Sequence, residues 1–256
     1  MKLKVSTSNI RFDNPKDGKH DWAHRRTILA KTINSFSPHI LGTQEGREGQ
    51  ILDLLSLLKE HKIVDKHRSW IEQRMYPTLF YNPNYLEVFQ SGDIWLSETP
   101  EIPGSKSFDS AFPRLCTWAK FKIREKEDSF YVFNCHLDHI RSSTRLAQIK
   151  VLIDQVQKIN SKNLPFILLG DFNEGPNGEV RSEINKYFPR LFDSWLSLEK
   201  PECSSHHNFN GKDEGTRIDW ILNTPPFLVT EANFFKGSEH QTYPSDHYPY
   251  FVEILV

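Results

Sequence analysis

Leu168-Leu169-Gly170-Asp171-Phe172-Asn173-Glu174-Gly175-Pro176 decides how the rest of the chain is read. Phe166, Ile167, Leu168 and Leu169 form an apolar run of strand length, and Gly175-Pro176 ends it. The run predicts a buried strand that opens into a loop. A carboxylate and a carboxamide, Asp171 and Asn173, stand at its exit. Side chains alternate faces along a strand, so these two project to the same side. A hard divalent cation takes oxygen donors of this kind. Asp, Asn and Gly are also the commonest turn residues, so the stretch alone reads equally as a turn. What ends the other strands tips the balance.

Residues 2–10 alternate, with Leu3, Val5 and Thr7 on one face and Asn9 following on it. A turn-rich loop leads to a helix whose face is Trp22, Leu29, Ile33 and Phe36, closed by Pro38. Residues 40–46 predict a second strand that stops on Gln44-Glu45, before a helix carrying Ile51, Leu54, Leu55 and Leu58. Strand, helix, strand, helix is the opening of an α/β domain. Short strands are expected at 79–81, 86–89 and 93–96, and longer ones at 115–124 and 129–138. On the last of these Asn134, His136 and Asp138 share a face. A helix over 143–159 precedes the central strand, and another follows around Val180, Ile184 and Phe188. Residues 216–222 place Arg217 and Asp219 together, and a last strand over 250–256 follows Pro244-Ser245-Asp246-His247. There is no repeat, low-complexity tract or linker, so residues 1–256 are expected to form one domain.

Composition narrows the partners. With 38% hydrophobic and 12% aromatic residues the chain can bury a sizeable core. A formal net charge of −1 gives no basic field for a long polyanion. A small phosphorylated substrate, or a short nucleic acid held mainly through a metal, fits better. Cys116, Cys135 and Cys203 are odd in number and lack CxxC spacing, which suggests a reducing compartment. Without a hydrophobic leader or membrane-spanning stretch, a cytoplasmic protein is expected. Nothing in the sequence calls for an obligate protein partner.

Five polar clusters fall at or near strand ends: Asn9; Gln44-Glu45; His136-Leu137-Asp138; Asp171-Phe172-Asn173; and Asp219 with Ser245-Asp246-His247. Each has a plain alternative. Asn9 could be a turn residue, Glu45 a helix cap, His136 a core histidine. Asp219 could pair with Arg217, and Asp246 could lie in a solvated loop. Five such accidents in one order are harder to accept. Together with Arg11, Asn134, Gly170, Arg217-Ile218 and Trp220, these residues resemble the endonuclease/exonuclease/phosphatase superfamily, the fold of deoxyribonuclease I. Trp95-Leu96-Ser97 and Arg114-Leu115-Cys116-Thr117-Trp118 look like its small bacterial members, grouped loosely with carbon-catabolite-repressor-like nucleases. The residues after Asn173 depart from the abasic-site endonucleases. Pro225-Pro226-Phe227-Leu228 is apolar enough to keep open a sphingomyelinase-like hairpin.

The resemblance implies a four-layer α/β/β/α sandwich, two mixed sheets face to face with helices outside. It also implies phosphate-ester cleavage with Mg²⁺ or Mn²⁺, most naturally a 3′-end-directed exonuclease on RNA or single-stranded nucleic acid. A phosphatase or lipid phosphodiesterase on the same machinery is the alternative. Glu45, with an amide oxygen from Asn9, is the expected metal site, since Mg²⁺ binds through one or two carboxylates plus substrate and water. Asp246 is a candidate for a second ion. Asp171 and Asn173 would position water, with the Asn173 amide donating to phosphate. By resemblance His247 is a base or a transition-state stabiliser oriented by Asp219. His136 would contact phosphate, with Asp138 fixing it or reaching the leaving group. Arg114 and Arg145 are candidate phosphate clamps, or simply ion-pair arginines. Trp95, Phe108, Trp118 and Phe209 could stack on bases.

Overall fold

The computed structural model describes residues 2–124, 126 and 128–256. The chain opens with β1 (Lys2–Asn9), α1 (Trp22–Phe36), β2 (Ile40–Gly46) and α2 (Glu48–Leu57). It continues through β3 (Lys62–Ile63), β4 (Tyr76–Tyr81), β5 (Leu86–Trp95), β6 (Leu115–Ile123) and β7 (Ser129–His136) to α3 (Ser142–Ile159). Then come β8 (Phe166–Asp171), α4 (Glu179–Tyr187), β9 (Phe192–Asp193), β10 (Asp219–Asn223), β11 (Leu228–Phe234) and β12 (Tyr250–Leu255). They form two six-stranded sheets, ordered β11-β12-β1-β2-β4-β3 and β5-β6-β7-β8-β10-β9. Both sheets are mixed: β1–β2 and β7–β8 pair parallel within otherwise antiparallel neighbours.

The central apolar run explains the layering. Ile167 and Leu169 face the opposite sheet, clustering with its Val5 and Ile40 and with Val132 and Ile221 of their own sheet. Phe166 and Leu168 point the other way, towards Ile149, Leu152 and Val156 of α3 and Ile184 of α4. A strand covered on both faces loses the polar alternation of a half-exposed one, so β8 reads as an unbroken apolar run. The first sheet is covered likewise: Leu29 and Ile33 of α1 and Ile51 and Leu54 of α2 pack on Leu41 and Phe80. The result is the expected α/β/β/α sandwich.

Two glycines are required by close approach. At Gly42 a Cβ would lie 2.2 Å from Leu169 Cδ1, so a side chain there would pry the sheets apart. Gly170 has φ +139°, and a Cβ would come 2.0 Å from the Cys135 carbonyl oxygen. Only glycine lets β8 run past β7 to present Asp171.

Several expected boundaries shift. The segments foreseen at 86–89 and 93–96 are one strand, β5, carrying a bulge between Val88 and Gln90. Gly92 stays in this strand because the Trp118 side chain covers the space where a Cβ would go. β7 ends at His136, two residues short of the expected strand, so Asp138 belongs to the loop. β10 begins at Asp219, leaving Arg217 outside it. Arg217 pairs with Asp193 at 3.0 Å and Glu202 at 2.8 Å, which removes it as Asp219's partner. β11 was not foreseen. Only Ala232 of its seven residues is buried, so an edge strand of this kind carries little hydrophobic signal. Leu228 is its first residue, and Phe227 is buried in the intersheet core, so this stretch forms no protruding apolar hairpin. Among the described residues no helix is long and apolar enough to cross a membrane.

Candidate active site at the paired strand ends

Strand register assembles the centre. His136 pairs with Asp171 across β7–β8, and Asp171 pairs with Asp219 across β8–β10. Each shares a face with intersheet core residues of its own strand, Asp171 with Leu169, Asp219 with Ile221 and His136 with Val132 four positions back, so all three point between the sheets at one rim. Asn9 ends β1 on the facing sheet. Its side-chain amide donates to Asp171 Oδ2 at 2.9 Å and to Glu45 Oε1 at 3.2 Å. A second crossing lies deeper, where Gln44 Nε2 donates to Asn134 Oδ1 at 2.8 Å. Paired polar side chains thus fix the distance between sheets at the rim.

Glu45 reaches the site by a departure from regular strand geometry. Ile40 faces the other sheet and Leu41 the helices, so strict alternation would turn Glu45 outward. β2 instead shifts register between Thr43 and Gly46, and Glu45 adopts φ +66°. The bulge re-aims the side chain. Its Oε2 then accepts from the Phe12 amide at 3.1 Å. Asn9 Oδ1 accepts from the Arg11 amide at 2.9 Å, so it is the amide nitrogen of Asn9, not its oxygen, that faces the two carboxylates.

His247 arrives on the loop before β12, anchored by Ser245 and by Arg25, which the sequence analysis did not single out. Arg25, buried on the apolar face of α1, donates to the carbonyls of Ile10 and Pro244, and to Arg11 O at 2.6 Å. Ser245 Oγ donates to Asn9 O at 2.7 Å. A charged residue spaced three and four from Trp22 and Leu29 was the available signal for Arg25. Thus placed, His247 Nδ1 lies 2.8 Å from Asp219 Oδ2, and Nε2 lies 3.9 Å from Asp171 Oδ2. Burial opposes the imidazolium, but the charge and hydrogen bond of Asp219, with Asp171 and Asp246 beyond, push His247 up to about 10. Burial and the Asp219 charge push Asp171 up to about 7. Burial also opposes the Asp246 charge, yet His247, Arg11 and His206 outweigh it and hold that carboxyl below its ordinary value.

The fourth side is basic. His136 Nε2 stands 3.4 Å from Asp171 Oδ2, and Arg114 Nη1 stands 2.9 Å from His136 Nδ1. Arg114 is buried, its Nε has no partner, and among the described residues no carboxylate pairs with it. Burial, then Arg114 and His247, drive the His136 pKa well down, so this ring is neutral.

Other candidates sit further out. Asp138 is fully buried and accepts from the Ile140, Arg141 and Ala111 amides at 2.8, 3.0 and 2.9 Å. It makes no hydrogen bond to His136 among the described residues. Asn173, with φ +52°, donates through its side chain to Leu137 O at 3.0 Å. Arg145 is paired with Glu174 at 3.3 Å. Of the expected stacking aromatics, Trp95 is buried beside Tyr76 and Leu115, and Trp118 packs partly buried on the second sheet's outer core. Phe209 stacks on His20 at 4.5 Å, and Phe108 is half-buried.

The donors suit a hard divalent ion. Four carboxylates, Glu45, Asp171, Asp219 and Asp246, converge around two buried imidazoles, His247 and His136, and one guanidinium, Arg114, without an ion-pair partner among the described residues. Asp219 Oδ1 is buried without a partner. Groups of three donors lie within 4.8 Å of one another at Asp171, Asp219 and His247, and at His206, Asp246 and His247. The first set is oxygen-rich and the second holds two imidazoles, and clusters of this kind can coordinate a divalent metal ion.

Residues 6–247 match the family described as Endonuclease/Exonuclease/phosphatase family. A solved endonuclease/exonuclease/phosphatase from Bacteroides vulgatus is 26% identical, with 100% of this chain and 99% of that one covered, at TM-score 0.91. A Bacteroides thetaiotaomicron protein described as a mannosyl-6-phosphatase is 28% identical, covering 99% and 100%, at TM-score 0.87. An uncharacterised protein of Acanthamoeba polyphaga mimivirus is 25% identical over 239 residues, 86% of this chain and 87% of that one.

Proposed function

Because the chain belongs to the endonuclease/exonuclease/phosphatase family, whose activity is metal-dependent phosphoester hydrolysis, we propose that it cleaves phosphodiester bonds. The observation that carries this reading is the balance of charge at the strand ends. Among the described residues the four carboxylates face one guanidinium free of an ion-pair partner, Arg114, and the cationic His247. Arg11 is shared between Asp17 and Asp246, and Arg145 is committed to Glu174. A diester carries one negative charge and a monoester up to two. With few cationic groups free besides the ion the carboxylates are proposed to hold, the first is the better match. The finer reading is a 3′-end-directed exonuclease on RNA or single-stranded nucleic acid.

Glu45 and Asp246 are the carboxylates proposed to hold Mg²⁺ or Mn²⁺. Asn9 keeps Glu45 and Asp171 together from the facing sheet. The bound ion would supply Lewis acidity that offsets charge gathering on the phosphoryl oxygens. Asp171, at the middle of the cluster, takes the proton of the attacking water. Its raised pKa matches a base working near neutrality. Asp219 holds His247 in one ring orientation and keeps it cationic, so that Nε2 presents positive charge to the phosphate. Arg114 and neutral His136 bind a phosphate oxygen from the other side. Asn173 and Arg145 support these groups by tying the loops after β7 and β8 together.

The test is a panel of base-free diesters, oligonucleotides with free or blocked 3′ ends, nucleotides and sugar phosphates, each with Mg²⁺, Mn²⁺ or chelator. Metal-dependent diester turnover, abolished by blocking the 3′ end, is expected. Turnover in excess chelator would overturn the metal assignment, and cleavage indifferent to 3′ blocking would overturn the exonuclease reading. A second reading, monoester hydrolysis, is favoured by the 28% identity to the mannosyl-6-phosphatase. Turnover of sugar phosphates alone would select it.

A further inference from the structure

Beside the reacting centre two large apolar side chains stand open to solvent, Phe112 at 46% exposure and Ile140 at 62%. They lie on separate loops, one leading into β6 and the other joining β7 to α3. One buried carboxylate staples these loops together. Asp138 Oδ2 accepts from the Ala111 amide at 2.9 Å and lies 3.2 Å from Ser110 Oγ. Its Oδ1 accepts from the Ile140 and Arg141 amides at 2.8 and 3.0 Å. Gln148 of α3 completes the staple, accepting from the Asp138 amide at 2.8 Å and donating to Ser110 Oγ at 3.0 Å. Fixing loop backbone costs roughly 1–2 kcal/mol per residue, a cost that scattered surface hydrophobics do not warrant. The pair is also wired to the centre. Phe112 and His139 stack with centroids 6.0 Å apart, and Arg114 Cζ lies 5.8 Å from the Phe112 centroid. Arg114 Nη2 stands 3.1 Å from His139 Nδ1, while Nη1 stands beside His136.

We propose that Phe112 and Ile140 form a subsite for a nucleobase of the substrate, next to the phosphate engaged by Arg114 and His136. This rests on the phosphodiesterase reading and gives it a substrate class. The order of groups on the protein, guanidinium then aromatic face, follows the order of groups in a nucleotide, phosphate then base. Stacking on an aromatic side chain accepts any base. A sugar ring would need free hydroxyls or amides at the rim. The buried ones, Ser110, Thr144 and Gln148, are spent internally: Ser110 Oγ donates to Phe112 O at 2.6 Å, Thr144 Oγ1 donates to Phe108 O at 2.6 Å, and Gln148 binds as above; the exposed hydroxyls of Ser142 and Ser143 make a sugar phosphate the competing ligand in the test. An alkyl chain would need an enclosed apolar channel, which two exposed residues do not make.

Calorimetric titration of the full-length His247→Ala protein with adenosine 5′-monophosphate, ribose 5-phosphate and glucose 6-phosphate, in Mg²⁺, tests the subsite without turnover. The nucleotide should bind on the order of tenfold or more tighter than ribose 5-phosphate, the worth of one base stack. Adding Phe112→Ala should erase that preference, Phe112→Tyr should keep it, and Phe112→Leu should not. Equal binding of the three ligands, no binding of any, or a preference that survives Phe112→Ala would overturn the proposal. So would a Phe112-dependent preference for glucose 6-phosphate. Wild-type turnover of a base-free diester checks the phosphodiesterase reading separately, so the two can fail independently.

Discussion

Asp219 and His247 work as one unit with unequal members. The imidazole is the group that faces the substrate, while the carboxylate acts on it from behind at 2.8 Å. His247→Ala is therefore expected to lower kcat on the order of 10²–10⁴-fold, the range for a lost acid–base or electrostatic group. Asp219→Asn should cost less, because an amide still orients the ring but no longer favours its charge. Steady-state kinetics on both variants, with circular dichroism to confirm folding, would decide. An Asp219→Asn enzyme slower than His247→Ala would give the catalytic part to Asp219 instead. Glu45 invites a parallel experiment. Its bulged backbone needs no carboxylate, and Glu45→Gln keeps the acceptor for the Phe12 amide. The fold should survive while Mg²⁺ binding, read by calorimetry, and metal-dependent turnover are lost. Unchanged Mg²⁺ affinity would move the ion elsewhere.

Between elements, the two sheets are latched at a second place that takes no part in the chemistry. Arg68, on the loop between β3 and β4, forks onto Asp93 of β5 at 2.9 and 2.8 Å, and also donates to Thr78 Oγ1 at 3.1 Å and Thr117 Oγ1 at 2.6 Å. Thr78 belongs to one sheet, Asp93 and Thr117 to the other. Burial opposes the Asp93 charge, but His67 and Arg68 outweigh it and hold the carboxyl well below its usual range. A carboxyl whose pKa is depressed by folding contributes its full stability above its unfolded value, about 3.9, and loses it as the pH falls towards its folded value. Asp93→Asn should cost about 3 kcal/mol at neutral pH by stranding a buried guanidinium. Its Tm should also fall less than the wild type's between about pH 5 and pH 3. Parallel acid dependence in the two proteins would exclude the latch as a source of acid sensitivity. Nothing in the sequence around Asp93 announced this pair, because its partner lies on a loop without periodicity. The elements that were legible had strong periods or dense burial: β2 was read to the residue, and β8 from its apolar run. β11 hid because an edge strand buries almost nothing. The site shows the same division. Asp171, Asp219 and His136 could be placed at strand ends by alternation, whereas the aim of Glu45 depends on a bulge that composition does not reveal. Asp138, expected on the strand beside His136, lies two residues beyond its end, where its carboxylate holds loop amides.

At the scale of the whole molecule, the decisive quantity is charge. The net charge of −1 spreads 32 basic and 33 acidic residues over the chain, and many surface lysines and arginines are neutralised locally. Affinity for a polyanion falls with salt in proportion to the number of phosphates neutralised, with a slope near −0.7 per phosphate for single strands. Arg114 is the guanidinium left without an ion-pair partner at the centre, and His247 adds one further charge. About two phosphate contacts are therefore expected, which gives a slope of log affinity against log salt of roughly −1 to −2. An extended basic track would give a slope several times steeper. Measuring KM for a short single-stranded oligonucleotide between low and high salt, at constant free Mg²⁺, distinguishes them. The shallow slope should persist as the oligonucleotide is lengthened. A slope that steepens with length would mean that the protein tracks nucleic acid beyond its reacting centre, contrary to a site that grips one phosphate and one neighbouring base.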